Sequence, residues 1–251
     1  MKKQLYIGTS GWHYNDWIGT FYPEGITGYN ELRYLAERYN TVENNSSFYR
    51  ISKESTYKTW SRMTPVDYKF SMKVNKIITH TYKLELNDEV KEKLQYIFES
   101  TQVLKEKIGA IVIQLPPSFK LDLEKLEAFL IFFTKEARSK EYIFDIAIEF
   151  RNKYWFVEEA YVLLRKYNVA LVAAQSSRYP GAREITADFA YIRLHGPKEL
   201  FASKYTAEEL QEWATYIKKI QKKVKRIYVY FNNDYYGYAL VNAKELMELL
   251  Q

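Results

Sequence analysis

Six apolar runs in the chain each end in ionisable or amide side chains. They are "TVE" at Glu43, "KFSMK" at Lys73, "IVIQ" at Gln114, "IAIEFR" at Glu149 and Arg151, "YIRLH" at Arg193 and His195, and "YVYFNND" at Asn232, Asn233 and Asp234. A carboxylate beside an imidazole can move protons, while guanidinium and ammonium groups can clamp a carboxylate or phosphate. The residues read as catalytic are therefore Glu43, Glu149, His195 and Asp234, with Glu149 or Glu43 as general base or acid and His195 as the partner proton carrier. Trp12, Lys73, His80, Gln114, Arg151, Arg193, Asn232 and Asn233 are read as substrate-binding, with Arg193 and Lys73 clamping an anion and Asn232 orienting it. The clamp assignment for Arg193 requires that Arg193→Ala lose binding without losing the fold. Each residue also has a purely structural reading: ion pairs for Glu149 with Arg151 and Glu43 with Arg193 or Lys73, a turn for Asp234 and His195, packing for Trp12 and Tyr14, and surface exposure for His13 and His80.

The elements that must bring these groups together recur as one unit: a short β-branched or aromatic run, a polar loop, then a segment of helical period. Strands are expected at Leu5 to Gly8, Thr41 to Glu43, Lys69 to Val74, Ala110 to Leu115, Ile146 to Phe150, Ala170 to Ala174, Ala190 to Leu194 and Ile227 to Phe231. Apolar residues from Val90 to Ile108 keep one helical face, Asp122 stands as an N-cap, and Thr206 with Glu209 forms a capping-box pattern ahead of a helix reaching toward Val224. Shorter helices fit 30–39, 55–63, 157–167 and 240–250, while 180–188, with Pro180 and Gly181, reads as loop. Alternating strands and helices imply parallel pairing, and eight units in 251 residues point to an α/β protein, a single (β/α)8 TIM-type barrel over 1–251, ahead of an open doubly wound sheet.

Strand parity then assigns faces. Val42, Phe70, Met72, Ile111, Ile113, Ile146, Ile148, Ile192, Leu194, Val229 and Phe231 suit the helix layer, which turns Glu43, Ser71, Lys73, Gln114, Glu149, Arg151, Tyr191, Arg193, His195 and Asn232 inward. Inward ions cost several kcal/mol each unless paired, hydrated or ligand-bound, so their concentration at the C-terminal strand ends marks a site.

Composition removes several chemistries. The absence of Cys excludes thiolate catalysis, disulfides and Cys-based metal clusters. No Walker loop, Gly-x-Ser-x-Gly elbow or His-Glu-x-x-His occurs, although a hard-metal site from Glu43, Glu149, His195 and Asp234 is sterically conceivable. The 37 basic and 31 acidic residues are interspersed, and the run "IKKIQKKVKR" reads as the solvated face of a helix. "MKKQLYIGTSGW" lacks the apolar core of a signal peptide and no stretch has the length of a membrane span, so a cytoplasmic protein is expected.

The blocks "IGTSGWHYNDWIGTFYP", "YNTVENNSSFYR", "FSMKV" with "ITH", "IQLPPSF", "IEFRNKYW", "YIRLHG" and "YFNNDYYGYALVNAKEL" resemble, in order and essentially end to end, those of the domain of unknown function 72 (DUF72) family of TIM-type barrels. The resemblance implies the barrel and places Glu43, Lys73, His80, Glu149, Arg151, Arg193, His195, Asn232, Asn233 and Asp234 at motif positions, and it brings no established reaction. After the sixth strand Gln175 and Ser176 stand where an acidic residue would be looked for. Three functional readings follow. The first is an acid–base enzyme or hydrolase acting on a small anionic, phosphorylated or carboxylated molecule, with Gly196 near the usual barrel phosphate site. The others are a nucleic-acid binding or processing protein, and a noncatalytic barrel that binds a ligand or partner. Cofactor, metal and oligomeric state are not legible in the chain.

Overall fold

A computed structural model of the chain describes residues 4–139 and 144–251. Its eight parallel strands follow one another around a closed barrel: β1 (Gln4–Ser10), β2 (Thr41–Asn44), β3 (Lys69–Lys73), β4 (Ile108–Gln114), β5 (Asp145–Glu149), β6 (Val169–Gln175), β7 (Phe189–Leu194) and β8 (Arg226–Phe231). β8 pairs back onto β1 from Gln4 opposite Arg226 to Thr9 opposite Phe231, which closes the ring. Around it lie α1 (Tyr29–Ala36), α2 (Ser46–Tyr49), α3 (Glu54–Met63), α4 (Asp88–Thr101), α5 (Leu123–Ser139), α6 (Glu158–Tyr167), α7 (Ala207–Ile220) and α8 (Tyr238–Leu249). This is the (β/α)8 barrel that the alternation predicts.

Local chemistry explains the helix starts. The Asn87 side chain accepts the Val90 N–H ahead of α4, Asp122 accepts the Lys125 N–H at 2.9 Å ahead of α5, and Thr206 and Glu209 exchange both bonds of a capping box ahead of α7. The ends differ from expectation in two places. The apolar face expected to run to Ile108 breaks after Thr101 into a 3-10 turn, where Lys105 takes a φ of 48°, and Ile108 opens β4 instead. α7 stops at Ile220 and Val224 packs beyond it in the core. Lys218, Lys219, Lys222 and Lys223 face solvent while Ile217 and Ile220 are buried, as the basic run suggests.

Between β6 and β7, residues 176–188 contain no helix. Thr186 secures this crossover: its hydroxyl accepts the Leu171 N–H at 2.7 Å and donates to the Val169 carbonyl at 2.6 Å.

The parity assignment separates two cores. Ile111, Ile113, Ile146, Ile148, Ile192, Leu194, Val229 and Phe231 pack under the helices, while Tyr6, Ala110, Val112, Ala147, Tyr191, Tyr228 and Tyr230 fill the barrel. Tyrosines give this interior a polar thread. Tyr230 bonds Thr41 at 2.6 Å and Ser71 at 2.8 Å, Tyr6 stacks on Tyr228, and Tyr228 joins Arg226 on the Asp145 carboxylate at the N-terminal end. The floor is thus filled and satisfied, and the charged inward residues above it sit at the C-terminal end.

Thr186→Val would strand the buried Leu171 N–H and Val169 carbonyl without their shared partner. A loss of about 1–3 kcal/mol is expected in urea denaturation, because buried backbone groups lose their bond without regaining water.

Candidate active site

Arg193 lies across the barrel just above the tyrosine layer and ties two strands to β7. Its Nη2 donates to Glu43 Oε1 at 2.7 Å and its Nη1 to Glu149 Oε2. All three side chains are essentially inaccessible, at 1% for Arg193, 0% for Glu43 and 2% for Glu149. Each carboxylate has further donors. Ser10 (2.8 Å) and Tyr191 (2.6 Å) donate to Glu43, while Gln114 (2.9 Å) and Arg151 Nε (2.8 Å) donate to Glu149 Oε1. Burial pushes both carboxyls toward protonation. The Arg193 guanidinium and these donors overcome it, holding Glu43 below and Glu149 well below the usual carboxylate range.

His195 completes this layer from the end of β7. Asn232 donates its amide to Nδ1 at 2.9 Å, which leaves the ring proton on Nε2, 3.8 Å from Glu149 Oε2. Burial lowers its pKa, so the imidazole is neutral.

Above the layer opens a cavity of about 840 Å³, within the range of small-molecule sites. Lys73, His80, Gln114, Arg151, Arg193, Asn232 and Asp234 line it, together with Tyr14, Asp16, Asn45, Phe48, Tyr49, Phe201, Tyr235 and Tyr236. His80 belongs to a π-helical turn, Ile77–Thr81, beyond β3. Its Nδ1 is bonded to Thr79 Oγ1 at 2.9 Å, and burial, reinforced by the charge of Lys73, lowers its pKa to about 4. The Lys73 amine sits 4.0 Å from the centre of the Phe48 ring, and burial followed by the Arg193 charge brings its pKa down to about 7. Desolvation acts oppositely on the half-buried Asp234, whose carboxyl is held well above its ordinary range. The Tyr14 hydroxyl donates to the Ser10 carbonyl and lies within bonding reach of that carboxylic acid.

Other expected site residues take different places. Glu43, Glu149 and His195 lie beneath the cavity rather than lining it, and low-pKa carboxylates saturated with donors are poor bases, so their expected proton-transfer roles do not fit their surroundings. Arg193→Ala cannot test a clamp apart from folding, because Arg193 is the counter-ion of two buried carboxylates. Trp12 packs edge-on against Trp60 at 4.9 Å outside the cavity lining. Asn233 spends its amide on the Ser203 carbonyl and on Asn242, tying β8 to α8. The Gly196 N–H donates to the Tyr205 hydroxyl instead of facing a phosphate. His13 lies at the surface, 68% exposed, on Glu31. Among the described residues no three His, Asp or Glu side chains assemble as metal ligands, since Glu43 and Glu149 turn to Arg193. The cavity aromatics Phe48, in α2, Phe201, and Tyr235 and Tyr236, in a 3-10 turn, escaped sequence reading, although all follow strands β2, β7 or β8 at the C-terminal face.

A family model described as "Protein of unknown function DUF72" matches residues 6–251. The chain belongs to the DUF72 family. Within DUF72 relatives it is similar to the UPF0759 protein YunF of Bacillus subtilis (strain 168), 25% identical over 276 residues that cover 98% of this chain and 94% of YunF. The crystal structure of a DUF72 family protein from Thermotoga maritima matches at a TM-score of 0.83 with 29% identity, covering 98% of this chain and 99% of that one. A DUF72 protein from Enterococcus faecalis, 21% identical, matches in fold at a TM-score of 0.81 over 98% and 95% of the two chains. Among the described residues no helix of this DUF72 barrel is long and apolar enough to cross a membrane.

Arg193→Ala is expected to cost about 3–5 kcal/mol in urea denaturation at neutral pH, because it leaves the buried Glu43 charged without its counter-ion and Glu149 with Arg151 alone. Asp234 has the opposite sign. It holds its proton more tightly folded than unfolded, so stability falls as pH rises above about 4, the unfolded pKa. Asp234→Asn should therefore raise the melting temperature at neutral pH, with the gain vanishing as pH falls below about 4.

Proposed function

We propose that this DUF72 barrel is an enzyme acting by acid–base chemistry on a small molecule that carries a carboxylate or phosphate. The observation that carries this reading is the company kept in one cavity: a carboxyl at Asp234 whose pKa is pushed well up, an amine at Lys73 whose pKa is pushed down to about 7, and a guanidinium at Arg151. Titratable groups pushed apart in pKa by their surroundings make a resident acid and a resident base.

Arg151 is the anion clamp. Only its Nε is spent on Glu149 among the described residues, and its guanidinium lies 4.3 Å from the centre of the Tyr179 ring, which fixes the plane of the fork. Asp234 is the general acid, donating to the substrate oxygen on which negative charge develops. His80 is a neutral imidazole whose free Nε2 hydrogen-bonds that oxygen or its neighbour, Gln114 and Asn232 orient the substrate, and Lys73 supplies the basic nitrogen. Glu43, Glu149 and His195 act through Arg193, Arg151 and Asn232 as positioning residues. Four tyrosines, Tyr14, Tyr49, Tyr235 and Tyr236, wall the opening.

A thermal-shift screen of carboxylates and sugar phosphates tests the reading. At about 100 times its dissociation constant, a ligand stabilises the native state by roughly 2.7 kcal/mol. Arg151→Ala should weaken such a ligand roughly 10- to 100-fold, since a hydrogen bond to a charged group is worth about 1.5–3 kcal/mol, while Glu149 keeps Arg193 and the fold persists. If no small anion shifts the transition, or if Arg151→Ala leaves the shift unchanged, the anion site is elsewhere or absent.

A further inference from the structure

We propose that Lys73 is a covalent nucleophile, its Nζ condensing with the carbonyl carbon of a substrate that also carries a carboxylate or phosphate, such as an oxo acid or a phosphorylated aldehyde. The inference rests on the anion-site reading above and names the substrate class of the same cavity.

The geometry begins with position. Lys73 is the last residue of β3, has inward parity, and lines the cavity beside Arg151 and Arg193. Among the described residues its Nζ forms no ion pair, although Glu43 and Glu149 are close enough to act on it electrostatically, because both carboxylates are turned to guanidinium groups. The amine contacts the Phe48 ring at 4.0 Å, and His80 meets the same ring edge-on at 4.9 Å, so one aromatic side chain holds both nitrogen groups at the same wall. A half-buried lysine with cationic neighbours and, among the described residues, no ion-pair partner is an arrangement that favours a neutral, nucleophilic amine at neutral pH. The groups facing it fix the direction: burial, Arg193 and Arg151 favour the free amine against the opposing pull of Glu149 and Glu43.

The bond changes balance without any oxidant or reductant. The Nζ lone pair adds to the carbonyl carbon and the C=O π pair moves to oxygen, which takes a proton to give a carbinolamine as nitrogen gives one up. The hydroxyl then takes a second proton, from the Asp234 carboxylic acid, and leaves as water while the nitrogen lone pair forms the C=N bond. The product iminium is cationic, and the Phe48 face that holds the amine suits that charge. Arg151 binds the anionic end, and the iminium draws electrons from the adjacent C–H or C–C bond.

The full chain is incubated with pyruvate, glyoxylate or glycolaldehyde phosphate, reduced with sodium borohydride, and mapped by peptide mass spectrometry. The expected result is a secondary-amine adduct on Lys73, in excess of any surface lysine by roughly tenfold or more at neutral pH, where an ordinary lysine is almost wholly protonated. Lys73→Arg should lose that adduct while keeping the circular dichroism of the parent. Adducts spread evenly over surface lysines, or no adduct on Lys73 with all three probes, overturn the proposal. Lactate and glycerol phosphate, which lack the carbonyl, separate the two readings by thermal shift. A shift that Arg151→Ala abolishes, without trapping on Lys73, sinks the iminium step and leaves the anion site standing. Absence of any shift together with absence of trapping sinks both.

Discussion

The site depends on one buried ion triad, Glu43–Arg193–Glu149, spanning the barrel from β2 through β7 to β5. Removing three charges from water is costly, and the triad is tenable because both carboxylates are answered by further donors from Ser10, Tyr191, Gln114 and Arg151, while Arg193 Nε has no partner among the described residues. Its consequence reaches the cavity above. The positive centre at Arg193 adds to burial in loosening the Lys73 proton, and the negative charge at Glu43 adds to burial in tightening the Asp234 proton. Burial is the larger cause for both groups, and the triad also opposes each shift, since Glu149 and Glu43 pull the Lys73 pKa up and Arg193 pulls the Asp234 pKa down.

The rest of the barrel serves to hold that triad in place. A layer of tyrosines below it fills the interior with bulky rings, and the hydroxyls of Tyr191, Tyr228 and Tyr230 find polar partners. Above it the backbone departs from relaxed geometry where the cavity is formed. Phe201 and Tyr236, both cavity residues, have φ of 67° and 56°, and His80 stands in a π-helical turn. Positive φ at aromatic residues and π-turns are unfavourable locally and persist where the surrounding packing enforces them, a pattern concentrated at functional sites. The Phe201 N–H bonded to the His195 carbonyl at 2.7 Å links one such residue directly to the end of β7.

Much of this was legible in the chain because a strand has a period of two. Ile192 and Leu194 must face the helices, so Arg193 must face inward, and the same logic places Glu149 and Gln114 without any coordinates. Helix starts were equally legible at Asp122 and Thr206, where the capping chemistry is local. The end of α4 was not, because apolar spacing continues through Leu104 and Ile108 while the chain must turn into β4. Trp12 and Asn233 illustrate the same limit at the site. Each lies within two residues of a cavity residue in sequence, and each is claimed by another neighbour, Trp60 and Asn242.

By itself the sequence determined the barrel, the inward parity of its charged residues and their gathering at the C-terminal strand ends, since hydrophobic period and strand order are properties of the chain alone. Which ions are spent on one another and which face a ligand was decided only by the tertiary structure. Arg193, Arg151 and Lys73 look alike as inward cations, yet Arg193 is locked between two carboxylates, Arg151 keeps part of its fork for the cavity, and Lys73 has no ion-pair partner among the described residues. The physical reason is that charge pairing and desolvation act through space, between strands separated by up to 150 residues.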